Sequence, residues 1–203
     1  MKKTSKLGIV VAALLALGAG LVVVASAQDG VDELIADAMS AAPPSIAQDA
    51  TIVAYPDGPE LNVLREGTNG WLCVSSSPGA LAAGLRDPNC MDEVWQGWLE
   101  AFMAGETPEI DRIGISYMLA GDGGAGNVDP FATGPEDDPT WHASGPHIML
   151  LMPNHDYSGV PTDHEYGGPY IMWADTPYAH IMIPVADHED HSHLTNPWDR
   201  RQP

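Results

Sequence analysis

Glycine and proline interrupt this chain every few residues once its apolar start is past: 21 Gly and 18 Pro occur in 203 residues. Proline removes a backbone donor and glycine weakens both helix and strand interiors, so such a chain can build only short elements joined by tight turns. The level is above ordinary usage yet below that of a disordered segment, and it predicts a loop-rich fold with its own core.

Two runs keep helical spacing. Asp29 to Ala42 places Val31, Leu34, Ile35 and Ala38 on one stripe, carries acids in its first turn and stops at Pro43-Pro44, which predicts a short, peripheral N-terminal helix. Met91, Val94, Trp95, Trp98 and Phe102 follow at i, i+3, i+4, i+7 and i+11 before Gly105, which predicts the main amphipathic helix, capped by Asn89 or Asp87 at its start and by Gly105 at its end. Gly97, between the two tryptophans, suggests close approach by another backbone.

The remaining apolar runs are of strand type. Thr51 to Tyr55, Leu61 to Arg65 and Trp71 to Ser75 are separated by Pro56-Asp57-Gly58-Pro59 and Gly67-Thr68-Asn69-Gly70, and read as an antiparallel meander. A further strand is expected from Ile113. A phrase then recurs: Gly145-Pro146-His147-Ile148-Met149, Gly168-Pro169-Tyr170-Ile171-Met172 and Tyr178-Ala179-His180-Ile181-Met182, predicting strands over His147 to Met152, Tyr170 to Ala174 and His180 to Val185. The fold class is thus α+β, with an antiparallel sheet of about six or seven short strands.

The chain is divided unevenly in charge. Lys2, Lys3 and Lys6 are its only lysines, and they precede the apolar stretch Leu7 to Val24 and the small-x-small sequence Ala25-Ser26-Ala27. This reads as a signal peptide over 1–27 that is cleaved before Gln28. A retained membrane anchor is the alternative, since the run approaches the roughly 20 residues that span a bilayer. Residues 28–186 then form a single globular domain in the periplasm or outside the cell. The formal charge of the whole chain is -20, which argues against a nucleic acid partner, because a polyanion needs clustered Lys and Arg. No later run is long and apolar enough to span a membrane. Cys73 and Cys90, the only cysteines, are expected to form a disulfide in an oxidising compartment.

All eight histidines lie between His142 and His193. Alternation along a strand puts His147 beside Met149, Tyr170 beside Met172 and His180 beside Met182. If these strands are neighbours, imidazoles and thioethers converge, and that donor set selects copper(I). Core packing is the alternative for the methionines. His188, His191 and His193 form a separate tract in 187–203, an acidic tail expected to be disordered and able to catch metal ions loosely. Between Gly121 and Thr140, Asp122, Asn127 and Asp129, followed by Glu136, Asp137 and Asp138, offer oxygen ligands of the kind calcium takes, although the spacing matches no EF-hand.

Catalytic motifs are missing: no G-x-S-x-G, no H-E-x-x-H, no phosphate loop and no G-x-G-x-x-G between a strand and a helix. His142, His155 or His164, with Asp156 or Asp163, is the candidate acid–base set for a hydrolase beside the 121–140 loop.

Several phrases, among them Asn69-Gly70-Trp71-Leu72-Cys73, Cys90-Met91-Asp92-Glu93-Val94-Trp95, Asp129-Pro130-Phe131-Ala132 and Thr176-Pro177-Tyr178-Ala179-His180-Ile181-Met182, resemble an uncharacterised family of exported bacterial proteins. The resemblance implies export and a single domain, and carries no activity. The sequence therefore points to an exported acidic envelope protein with a binding or accessory role, with metal handling through the His and Met strands as one alternative and hydrolysis as another. Removing residues 187–203 is expected to leave the melting temperature unchanged, as followed by circular dichroism.

Overall fold

The computed structural model describes residues 30–55 and 61–186. Residues 1–29, which include the expected leader, residues 56–60, and residues 187–203 with His188, His191 and His193 lie outside the described residues.

Short runs do become short elements. Helix α1 covers residues 30–39, and the chain continues through α2 (Pro44–Ala47), β1 (Thr51–Ala54), β2 (Asn62–Arg65), β3 (Leu72–Val74), α3 (Pro78–Ala82), β4 (Asn89–Met91), α4 (Glu93–Ala104), β5 (Gly114–Met118), β6 (His147–Leu151), β7 (Tyr170–Met172) and β8 (His180–Pro184). Among the described residues eight strands form one sheet in the order β2-β1-β3-β4-β5-β6-β8-β7. The class is α+β, with one more strand than expected and two additional short helices.

The sheet is mixed rather than antiparallel. β1 pairs antiparallel with β2 but parallel with β3, so the first three strands are not a meander. Instead, the connection leaving β2 crosses the start of β1 to reach its far side. Gly67 permits the crossing: a Cβ there would overlap the backbone of Ala50 and Thr51. Thr68 N donates to Asp49 O (2.8 Å) and Gly67 N to Thr51 Oγ1 (3.0 Å), which clamps the crossover. A hairpin pattern in the sequence says nothing of which side the third strand joins.

β4 is the strand that sequence periodicity hides, because Met91 also fits the stripe of the following helix. Asp92, not Asn89 or Asp87, caps α4 by accepting from Trp95 N (3.0 Å), and its second oxygen accepts from Ile115 N (2.7 Å) in β5. Gly105, in the left-handed region at φ 69°, ends the helix as anticipated. Gly97 has open space beside it, with no atom within 4 Å of a Cβ built there; it marks no backbone approach.

Cys73 and Cys90 stand directly opposite each other on β3 and β4 and form a disulfide. The link thus joins two neighbouring strands. Their sulfurs lie in a core of Ala38, Ala41, Ala47, Ala50 and Ile52 beneath α1 and α2. Helix α1 is therefore packed on the sheet, not peripheral. Asp37 of α1 accepts from Ser76 N (2.6 Å) and Arg86 Nε (2.8 Å), tying it to the loop after β3. The opposite face of the sheet carries the larger core, covered by Trp95 and Trp98 of α4. Among the described residues no helix is long and apolar enough to cross a membrane.

The bridged cysteines are 17 residues apart, and closing a loop of that length stabilises a fold by about 3 kcal/mol in the chain-entropy model. Reduction is expected to lower the urea midpoint accordingly; an unchanged midpoint would show that the pairing of β3 and β4 stands without the bond.

Candidate functional site

The side chains of the repeated phrases meet on the face under α4. Pairing puts Ser116 opposite Met149, Met149 opposite Met182, and Met182 opposite Tyr170, so one row runs across β5, β6, β8 and β7. On one side of that row His147 pairs with Met118 and Pro184. On the other side His180 pairs with Met172. The two histidines thus approach the Met149–Met182 pair from opposite directions along the strands. His147, Met149, His180 and Met182 line a single cavity of about 240 Å³, together with Met118 and Met172.

Both imidazoles are buried, with 1% and 2% of their surface exposed. Each makes one hydrogen bond of the same kind, from Nδ1 to the carbonyl two residues earlier: His147 to Gly145 O (2.7 Å) and His180 to Tyr178 O (3.1 Å). A carbonyl only accepts, so the proton sits on Nδ1 and the lone pair on Nε2. Neither Nε2 has a partner. Burial holds the pKa of His180 down to about 4, against the smaller opposing effect of the Tyr178 carbonyl. Burial also lowers that of His147, opposed by Asp122 and the Gly145 carbonyl. The site therefore presents two neutral imidazole nitrogens.

Aromatic rings form part of its wall. His180 meets Trp95, Trp98 and Trp173 edge to face at 5.3, 5.9 and 5.1 Å between centroids. Trp173 has φ 55° and is fastened to the 121–140 loop by Trp173 N to Asn127 O (2.9 Å) and Nε1 to Gly126 O (2.8 Å). That loop forms another part of the wall through Asp122, Gly123, Gly124 and Ala125.

The loop's carboxylates serve the loop itself. Asp122 Oδ1 accepts from Gly124 N (2.9 Å) and Ser144 N (2.8 Å). Buried Asp138 accepts from Val128 N, Asp129 N, Thr140 N and Thr140 Oγ1. Burial alone would raise the Asp138 pKa, but these four hydrogen bonds outweigh it and bring it to about 2. Asp137 accepts from Thr133 and Asp129 from Phe131 N. Among the described residues no group of three or more His, Cys, Asp and Glu side chains is placed to hold a metal, so the calcium expectation has no assembled ligand set here.

The hydrolase candidates divide between two places, His142 and His164 with Asp163 in one and His155 with Asp156 in the other. His142 is fixed between Thr140 O (2.9 Å) and the Tyr170 hydroxyl (3.4 Å) and stacks on His164 at 4.5 Å. His155 faces Pro108 O (3.3 Å). Asp156 accepts from Ser158, and Asp163 from Glu165 N (2.8 Å); neither carboxylate is hydrogen-bonded to a histidine.

Sequence reasoning missed the aromatic wall. The helical stripe announces that Trp95 and Trp98 share a face, but not which strands lie under it. Trp173 was marked only by following the second Ile-Met. Compared with models of known protein families, with curated proteins and with solved structures, the chain matches none, so the site is read from its own geometry.

Because the unfolded chain takes up protons at ordinary imidazole values near 6.5 while folded His180 resists down to about 4, stability is full above the first value and falls as the pH drops through that window. Asp138 contributes to acid loss only below its unfolded value of 3.8. The melting temperature should therefore decline between pH 6.5 and 4.5, and less steeply in His180→Gln; equal slopes would contradict the burial of a neutral ring.

Proposed function

We propose that this protein is an exported binding protein whose ligand is copper(I), held in the cavity between α4 and the sheet by His147 Nε2, His180 Nε2 and the thioethers of Met149 and Met182. The observation that supports this most directly is that His147 and His180, each with a buried, unpartnered Nε2, line one cavity with four methionines. A lone pair kept away from water and from any donor is costly unless something binds it. Metal-bound imidazoles characteristically give their other N–H to a carbonyl or carboxylate, which fixes tautomer and ring orientation; Gly145 and Tyr178 do this here.

The donor set selects the metal. Neutral nitrogen with thioether sulfur favours soft Cu(I), whereas calcium and magnesium need oxygen. Tryptophan, histidine and methionine side chains make up most of the lining, with Asp87, Asn89 and Asp122 its polar members. Five of the chain's nine methionines (Met91, Met118, Met149, Met172 and Met182) belong to this one core. Leucine would fill the same space; methionine fills it and also offers sulfur. The disulfide fits an oxidising compartment, where a protein that binds Cu(I) shields it from oxidation and hands it on.

Anaerobic titration against a coloured Cu(I) chelator is expected to show one tight site. His147→Ala or His180→Ala should weaken it on the order of 100-fold and Met149→Leu about tenfold, since removing ligands or their supports has effects of this size. Protonation of His180 should not weaken binding from pH 7 to 5, because burial holds its pKa down to about 4. Failure of the wild-type protein to compete with the chelator would refute the assignment.

A further inference from the structure

Five buried side-chain nitrogen or oxygen atoms among the described residues have no hydrogen-bond partner, and four of them belong to residues lining the copper cavity: Nε2 of His147 and His180, and Nε1 of Trp95 and Trp98. The imidazole nitrogens offer lone pairs, which a cation satisfies. The indole Nε1–H groups are donors only, and no cation can satisfy them. A metal alone leaves half of the deficit in place.

Two carboxylates line the cavity and place negative charge beside a bound cation, but their oxygens are engaged elsewhere: Asp87 accepts from Ser77 N (2.6 Å) and Ser77 Oγ (2.8 Å), and Asp122 from the amides of Gly124 and Ser144. Neither is hydrogen-bonded to an indole.

We propose that the cavity binds Cu(I) together with a small, soft, monovalent anion of the halide type, which bonds to the metal and accepts hydrogen bonds from Trp95 Nε1–H and Trp98 Nε1–H. One occupant then satisfies both donors. The step is a ligand addition: a lone pair of the anion forms a bond to copper, no electron is transferred and no proton moves. The inference rests on the copper reading above.

X-ray absorption at the copper and bromine edges, on protein loaded with Cu(I) without oxygen in bromide buffer, tests it. The expected result is one bromide in the copper shell of the wild-type protein. It should be lost in the double variant Trp95→Phe with Trp98→Phe, which keeps ring packing and is loaded at a Cu(I) excess that offsets its weaker copper binding. A wild-type copper shell of nitrogen and sulfur alone would overturn the anion while leaving the copper site standing. Bromide persisting in the double variant would overturn the role of the indoles. A wild-type protein that retains no copper would overturn both readings. Should the double variant fail to fold, bromide-dependent shifts of the indole N–H signals of wild-type protein carry the test: movement of both supports the proposal, and none overturns it.

Discussion

The register between β6 and β8 is the constraint on which the site depends. Met149 faces Met182, with His147 and His180 displaced to either side. A slip of one residue would turn every one of these side chains to the opposite face of the sheet, because side chains alternate with a period of two. Register is well specified here because α4 covers only one face. Trp95 and Trp98 can bury themselves only against the Met and His side, while Ile148, Leu150, Ile181 and Ile183 form the alternate set.

Two further features refine that placement. The backbone carbonyls of Gly145 and Tyr178 lie just ahead of their strands and take the Nδ1 protons, so the strand starts themselves orient the rings. The 121–140 loop, fastened by Asp122, Asp138 and Trp173, closes one side of the cavity. Its acids contribute through backbone amides rather than through a ligand, which is the common use of carboxylates in irregular loops. The disulfide lies on the other face, away from the cavity, and holds together the strand pair from which α4 departs.

Much of this was legible in the residues. Alternation along three similar phrases placed His147 with Met149 and His180 with Met182, and short strands preserve that relation wherever they lie in the sheet. The stripe of α4 was equally plain, since Gly105 and five apolar positions agree. Topology was not legible. That β1 runs parallel to β3 depends on a crossing at Gly67 whose only local mark is one small residue, and β4 is three residues long and shares Met91 with the period of the next helix. The tautomers of His147 and His180 were also beyond reach, because they depend on carbonyls whose direction only the folded backbone defines.

The central claim is that two specific nitrogens, and no others, form a soft-metal site. Silver(I) is a redox-inert substitute for Cu(I), and nitrogen-15 NMR of histidine-labelled protein reads each ring nitrogen separately. Before silver is added, His147 and His180 should appear as neutral rings protonated at Nδ1. On adding one equivalent, their Nε2 signals should shift together while His142, His155 and His164 stay still. Shifts confined to His188, His191 and His193, or rings protonated at Nε2 in the free protein, would contradict the account.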